Sequence, residues 1–384
     1  MFYELIQISL GTRQDFSSTP SAEDWIQMFK ESERQCILGV TFCGVEKYIK
    51  MCGGCANTSL DPDLFASWYS YVQKLEERNK ELNTKCVWLQ NWLNQSGMNS
   101  CILKGQGNAL HYPYPLRRTS GDIDIWLWWK KFDRYEVDKK YYGSQNRIEV
   151  IRWVQQKMHG EFAEIASHHI HMPPLGDVEV EGHFWPTNMF SFISNRRFEH
   201  WCEEEHLRQM NNWKELPGEE GKISAPTLEF NVIYQLLHIM RHFFHDGIGI
   251  RHMIDYYWLL QSEKMDVKEV QRMLNLLHLN NAMSGVMWIM TEVFKMDKSL
   301  LPFRINASIG RQMLEEIERG ANLGHDDQNI ATWRYNNKLT IFIWRTYRNI
   351  RFARISPSEV LWSPIFRFWQ NRWIKKMYKM AERN

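Results

Sequence analysis

Two aspartates separated by a single residue set the tightest constraint on this chain. They stand in the run Arg118-Thr119-Ser120-Gly121-Asp122-Ile123-Asp124-Ile125-Trp126. Over residues 121–128, Ile123, Ile125 and Leu127 alternate with Asp122, Asp124 and Trp126, which predicts a strand. Alternate residues of a strand share a face, about 6.6 Å apart along it, so Asp122 and Asp124 point the same way. Carboxylates held that close repel, and each costs free energy to desolvate. A cation between them relieves both costs. A hard dication such as Mg²⁺ takes oxygen ligands, commonly one or two carboxylates together with substrate phosphates. Upstream, residues 100–103 read as a strand that runs into the turn Lys104-Gly105, and residues 106–111 as the opening of a helix. Backbone N–H groups at such a turn can bind phosphate.

The rest of the chain supplies support for this stretch. Its 384 residues suffice for two or three structural units, and 44% apolar content suffices for their cores. A net charge of +2 gives no general attraction to nucleic acid. The 18 tryptophans fall largely in helical patterns and are expected in packed cores. The first residues lack a basic region followed by an apolar core, so no secretory leader is expected, and no apolar run is long enough for a membrane span. Seven scattered cysteines fit reduced thiols and a cytoplasmic location. Cys52 and Cys55 form a lone CxxC without a second pair at zinc spacing, which reads as a loop turn.

Three regions are expected. Residues 1–96 read as helical, with a start at Ala22-Glu23-Asp24 and a long helix over about 62–93. Residues 97–212 read as an α/β unit. It has a loop and short helix over 129–143, a helix over 146–158, a strand over 162–172 ended by Pro173-Pro174, a strand over 178–184 and a helix over 188–212. A loop follows at Leu216-Pro217-Gly218. Residues 225–384 read as helical. One helix carries Phe230, Ile233, Leu237 and Met240 on one face, a second covers 250–261, and others follow over 266–278, 280–296 and 307–319. From Trp333 the chain turns basic and aromatic, with Arg345, Arg348, Arg372, Lys375 and Lys379 against only Glu359 and Glu382.

At the Asp-x-Asp stretch the chain resembles a known family. The strand ending in Lys104-Gly105, then Tyr112-Pro113, Arg118 and Gly121-Asp122-Ile123-Asp124, is similar to the nucleotidyltransferase fold of DNA polymerase beta. Within it, the chain resembles a bacterial family of uncharacterised nucleotidyltransferases. Val180-Glu181-Gly182-His183-Phe184, the 241–255 segment, Phe2-Tyr3-Glu4-Leu5-Ile6 and Ala22-Glu23-Asp24-Trp25 carry the same likeness, which fades after about Leu260. The resemblance implies an α+β chain, with a polymerase beta-like core of small mixed sheet and helices between two helical regions. It implies a nucleoside triphosphate substrate, Mg²⁺ or Mn²⁺ as cofactor, and transfer of a nucleoside monophosphate to an acceptor hydroxyl with release of pyrophosphate.

It also implies roles. Asp122, Asp124 and a third carboxylate would act in catalysis and hold metal. The third is expected at Glu181, ahead of His183-Phe184. Gly182 departs from the hydrophobic residue usual there, which keeps Glu179 open. Asp177, Glu179 and Glu181 alternate onto one face. Lys104, Gly105, Gln106, Arg118, Ser120, Gly121, His183 and Arg251 would contact nucleotide, and His242, His245 and Arg251 would touch nucleotide or acceptor. Gln106 departs from the family's serine or glycine, so the phosphate grip would rest on backbone N–H groups, Lys104 and Arg118. For Arg118 the competing expectation is a surface salt bridge, and for Arg251 an ion pair with Asp255 at i, i+4. Among Ser167-His168-His169-Ile170-His171, His169 and His171 would share one face and His168 the other. They are expected near the cleft rather than on metal. Two further readings stay open: an inactive relative that binds nucleotide or a partner, and a basic tail that contacts an anionic membrane surface or nucleic acid.

Overall fold

A computed structural model describes residues 1–158, 163–218, 220–245, 247–262, 264–320 and 338–381. The chain opens with helices α1 (Phe2–Leu10), α2 (Ala22–Arg34), α3 (Leu38–Met51) and α4 (Pro62–Gln95). Local chemistry sets their starts. Ser21 and Asp24 cap α2 reciprocally, and the Asp61 carboxylate accepts from the Asp63 and Leu64 N–H groups ahead of α4. Leu5, Trp25, Phe42, Trp68 and Val72 form a first apolar cluster. The far half of α4 contributes Leu82, Cys86, Leu89 and Leu93 to a second, larger core. At 34 residues α4 is about 51 Å long, so one rod serves both.

The sheet comprises β1 (Met98–Ile102), β2 (Ile123–Trp129), β3 (His169–Leu175) and β4 (Val178–His183), in the order β1-β2-β4-β3. β2 runs parallel to β4 and antiparallel to β1, and β3 is antiparallel to β4. Between β1 and β2 comes α5 (Gln106–Ala109). α6 (Tyr135–Asp138) and α7 (Gly143–Lys157) follow β2, and α8 (Phe192–Met210) follows β4. Then come α9 (Leu228–His245), α10 (Ile250–Ser262), α11 (Val267–Leu276), α12 (Asn280–Trp288), α13 (Ala307–Gly320), α14 (Lys338–Ile350) and α15 (Pro357–Ala381). The fold is α+β, mostly helical with a small mixed sheet. Among the described residues, no helix is long and apolar enough to cross a membrane.

Several elements depart from expectation. β2 starts at Ile123, which leaves Asp122 in the turn ahead of it. β3 begins later than the strand expected over 162–172 and runs through Pro173-Pro174. Residue 162 lies outside the described residues. β3 is an edge strand, where a missing N–H need not cost a ladder bond, and the pairing shifts between Met172 and Leu175. A short hairpin, β5 (Trp213–Glu215) with β6 (Lys222–Ser224), brackets the expected loop at 216–218. Its three-residue strands are too short to show alternation. The helix expected over 280–296 ends at Trp288 and continues as one wider π turn, Ile289–Val293. Start of the basic segment at Trp333, and Glu382, lie outside the described residues. Within the segment, Arg348 is buried on Glu316 at 2.6 Å, and buried Glu359 accepts from the Phe190 and Ser191 N–H groups. Part of the tail is therefore packed structure.

Strand pairing gives the sheet one apolar and one polar face. Ile123, Ile125 and Leu127 lie with Val178, Val180 and Gly182, all buried. On the other face α9 closes over β2: Phe230 lies against Trp126 of β2 and Trp201 of α8, with ring centroids 5.7 and 4.6 Å apart. Gly182 departs from a larger residue because its place is taken. A Cβ there would stand 2.8 Å from Met172 Sδ and 2.9 Å from Leu127 Cδ1. Gly182→Val should destabilise by about 1–3 kcal/mol through overpacking, read as a lower thermal midpoint, and Met172→Ala in the same chain should recover most of the loss. An unchanged midpoint in Gly182→Val would contradict this packing.

Candidate active site

Register builds the floor of the site. Asp124 of β2 pairs with Glu181 of β4, which pairs with His171 of β3. The next polar-face row is Trp126, His183 and His169. Side chains directly across strands come within about 5.5 Å at Cβ, so acids and histidines converge. Over them opens a cleft of about 320 Å³, bounded by the 104–105 turn, the 118–122 loop, α9 and the start of α10. The turn requires Gly105: its φ of 55° with ψ of −112° is open to glycine and strained for other residues.

That turn delivers Lys104 to the floor, with Nζ 2.8 Å from Asp124 Oδ1. His183 Nε2 lies 2.9 Å from the same oxygen and 3.3 Å from Glu181 Oε2. His183 Nδ1 faces the Pro186 carbonyl at 3.1 Å. A carbonyl only accepts and a carboxylate only accepts, so both ring nitrogens carry protons and His183 is an imidazolium. Burial opposes its charge, but the hydrogen bonds to Asp124 and Glu181 win and raise its pKa. Lys104 behaves alike: burial lowers its pKa, and Asp124, Asp122 and Glu181 more than restore it. Burial likewise works to raise Asp124 and Glu181; Lys104 and then His183 hold Asp124 well below the ordinary carboxylate range, and His183 lowers Glu181. Asp122 is open to solvent at the cleft mouth, and the neighbouring Asp124 charge pushes its pKa up, followed by desolvation.

Asp124 is 2% exposed and draws two cations to one oxygen. Ligand atoms of Asp124, Glu181 and His183 lie within 4.8 Å of one another. His183, protonated on both ring nitrogens, offers no lone pair, so the donors are the carboxylate oxygens of Asp124 and Glu181 with Asp122 beside them, a hard set that fits Mg²⁺ or Mn²⁺.

Other expected residues sort clearly. Glu181 lines the cleft; Glu179 is exposed away from it, and Asp177 sits in the turn before β4, paired with Arg78 at 2.7 Å and Lys85 at 3.2 Å. Gly105, Ser120, Gly121, His242 and Arg251 line the cleft, while the side chain of His245 lies outside the described residues. Gln106 does not line it. Its amide donates to Asn79 O at 3.2 Å and to Asn83 Oδ1, pinning the turn to α4. Arg118 is no surface pair: its Nε and Nη2 reach Asp255 Oδ1 and Oδ2 at 2.7 and 2.8 Å, both residues buried. Asp255 also accepts from Tyr112 Oη at 2.5 Å. Asp255 therefore does not pair with Arg251, whose Nη1 donates to Thr119 O at 3.4 Å. Arg118 Nη1 donates to Ser120 Oγ at 2.9 Å, so the pair shapes the 118–122 loop.

His168 joins His169 in the cleft rather than facing away, because β3 starts only at His169. His168 Nδ1 accepts from Arg241 Nη1 at 3.0 Å. Burial, then Arg241, lowers the His168 pKa; burial, then His183, brings His169 to about 3. Sequence reasoning missed Tyr234, Gln235 and His238 of α9, which also line the cleft. The apolar face of α9 dominates its sequence pattern; the signal for the cleft is Tyr234, His238 and His242 at intervals of four.

With this site in view, the chain's kinship can be stated. Residues 21–295 match the family described as uncharacterised nucleotidyltransferase, and the chain belongs to it. No curated protein matches. The crystal structure of an antigenic nucleotidyltransferase-like protein from Paracoccidioides brasiliensis is a weak neighbour: TM-score 0.30 and 14% identity, over 60% of this chain and 97% of that one.

The Arg118–Asp255 pair generates a prediction. Asp255→Asn leaves Arg118 buried without its counter-charge and should cost about 3–5 kcal/mol. Burial opposes the Asp255 charge, yet Arg118 brings the carboxyl from 3.8 down to about 2. A depressed carboxylate stabilises above its unfolded pKa, so this contribution should be complete near neutrality and vanish as pH falls from about 4 through about 2. Thermal melts of both proteins across that range check it; equal midpoints at pH 7 would refute the pairing.

Proposed function

We propose that this protein is a divalent-metal-dependent nucleotidyltransferase. It moves a nucleoside monophosphate from a triphosphate onto an acceptor hydroxyl and releases pyrophosphate. One observation carries the reading: Asp122, Asp124, Glu181 and Lys104 gather on the floor of one cleft, in a chain of nucleotidyltransferase kinship. Asp122, Asp124 and Glu181 would hold Mg²⁺ or Mn²⁺, which supplies charge neutralisation at the phosphates. Lys104 would turn from Asp124 to the outer phosphates, and Arg251 and Ser120 would hold the nucleotide at the cleft wall. Glu181 would take the proton of the acceptor hydroxyl as its oxygen attacks the α-phosphate in line, with pyrophosphate leaving from the opposite side. Asp124 and Glu181 together orient His183, which keeps both carboxylates ionised.

A second reading is a relative that binds nucleotide without turning it over. Gln106 motivates it, since no side-chain hydroxyl stands at that turn and Gln106 is committed to α4. Incubation with each labelled triphosphate and whole-cell extract separates the two. Label transfer with pyrophosphate release supports the first, metal-dependent binding without release supports the second, and neither sinks both. Asp124→Asn should abolish metal-dependent turnover, and Glu181→Gln should slow chemistry far more than Glu179→Gln. Lys104→Met should weaken triphosphate binding roughly ten- to a hundredfold, a charge-assisted contact being worth about 1.5–3 kcal/mol, while monophosphate binding changes little. Full turnover in Asp124→Asn would end the proposal.

We also propose that the tail contacts an anionic lipid surface. Ile343, Tyr347 and Ile350 on α14 are 58, 74 and 56% exposed, and Leu361, Ile365 and Phe368 on α15 are 70, 49 and 60% exposed. Each set falls at i, i+4, i+7, one stripe per helix. Arg372, Lys375, Lys376 and Lys379 are exposed nearby on α15, and its one described acid, Glu359, is buried. Apolar stripes beside cations match an interfacial helix pair. The full chain should co-sediment with phosphatidylserine vesicles and not with phosphatidylcholine, less so in high salt, and Ile343→Ser with Phe368→Ser should abolish it. Binding to RNA instead of vesicles, or self-association through the stripes, would overturn this.

A further inference from the structure

The cleft has a wall that the carboxylate chemistry leaves unused. His238 and His242 stand one turn apart on α9, and His252 enters from the first turn of α10. One nitrogen of each lies within 4.8 Å of those of the other two. His238 Nε2 and His242 Nε2 are 3.1 Å apart. Ligands at the Zn–N distance of about 2.0–2.1 Å stand about 3.3 Å apart in a tetrahedron, so this spacing needs little adjustment. His252 Nδ1 faces the Gly249 carbonyl at 3.3 Å. That oxygen can only accept, so the ring proton sits on Nδ1 and leaves Nε2 with a bare lone pair. Ligating histidines are commonly fixed this way by a carbonyl behind them.

Two further facts suit a ligand here. His238 and His252 are buried; burial and then Lys104 lower the first, and burial and then Arg251 bring the second to about 3. Burial disfavours the charged ring, and the neutral ring is the form that binds metal. Tyr234, one turn before His238, is fully buried and lines the cleft, and its hydroxyl has no partner among the described residues. The charges nearby are mixed: Lys104, Arg118, Arg241 and Arg251 against Asp255. Arg241 and Arg251 line the same cleft and favour an anion in the metal's open position.

We propose that His238, His242 and His252 bind a zinc-type dication through three imidazole nitrogens, with the fourth position open to the cleft for a phosphate-type oxyanion. The site uses α9 and α10 ligands in the same cleft as the carboxylates and does not depend on nucleotidyl transfer. Cobalt(II) titrated into the metal-free full-length protein tests it, since four-coordinate nitrogen-bound cobalt has intense visible bands that octahedral oxygen-bound cobalt lacks. One equivalent should develop these bands, and inorganic phosphate should tighten binding. His252→Ala and His242→Gln should each weaken binding at least tenfold, on the order of 1.4 kcal/mol or more, while Asp124→Asn should leave the bands intact. His242 is only half-buried, so its variant keeps the test alive if His252→Ala fails to fold, as judged by the metal-free melt. Absence of the bands, or bands that survive His242→Gln but vanish in Asp124→Asn, would overturn the site.

Discussion

Everything near the cleft answers to one constraint: a parallel pairing sets Asp124, which water barely reaches, directly beside Glu181. Two adjacent carboxylates there are tolerable only with cations on them. Neighbouring elements supply those cations. β1 ends in a turn that glycine alone adopts without strain, and Lys104 thereby lands on Asp124. β4 extends two residues past Glu181, and His183 bridges the two acids. Under the proposed function, a metal and a polyphosphate would rearrange this arrangement, with Lys104 exchanging Asp124 for a phosphate.

A second buried pair ties the helical half of the chain to the sheet half. Arg118 lies just before β2 and Asp255 lies in α10, and their two-point contact is completed by Tyr112 from the segment between β1 and β2. The planar guanidinium fork suits a carboxylate in a way that lysine does not. The site thus depends on contacts between segments far apart in sequence. α9 then seals the polar face of the sheet with Phe230 and offers its Tyr234 and His238 to the cleft.

Much of this was legible in the residues. Alternation around Asp122 and Asp124 disclosed the strand, and the acid before His183 disclosed the row that meets it. Lone spacing rules failed where a third element intervened. Arg251 and Asp255 stand at i, i+4, but Arg118 has the better geometry and takes Asp255. Gln106 sits where a phosphate grip was expected, but two asparagines one turn apart on α4 claim its amide. Gly182 departs from the family's hydrophobic residue because Met172 and Leu127 fill its place. The prolines of β3 read as a stop because propensity does not know which strand is at an edge.

Those prolines also decide how another molecule can approach. An exposed edge strand is an invitation to any passing chain to add itself to the sheet. β3 declines it at one end with two residues that have no amide hydrogen, and at the other Ile165 already bridges to Ile170. A protein acceptor would find little purchase there by strand addition. Under the proposed transfer, an acceptor hydroxyl would instead have to come in on something thin enough to enter the cleft from the solvent side, such as a loop, a chain end or a small free molecule.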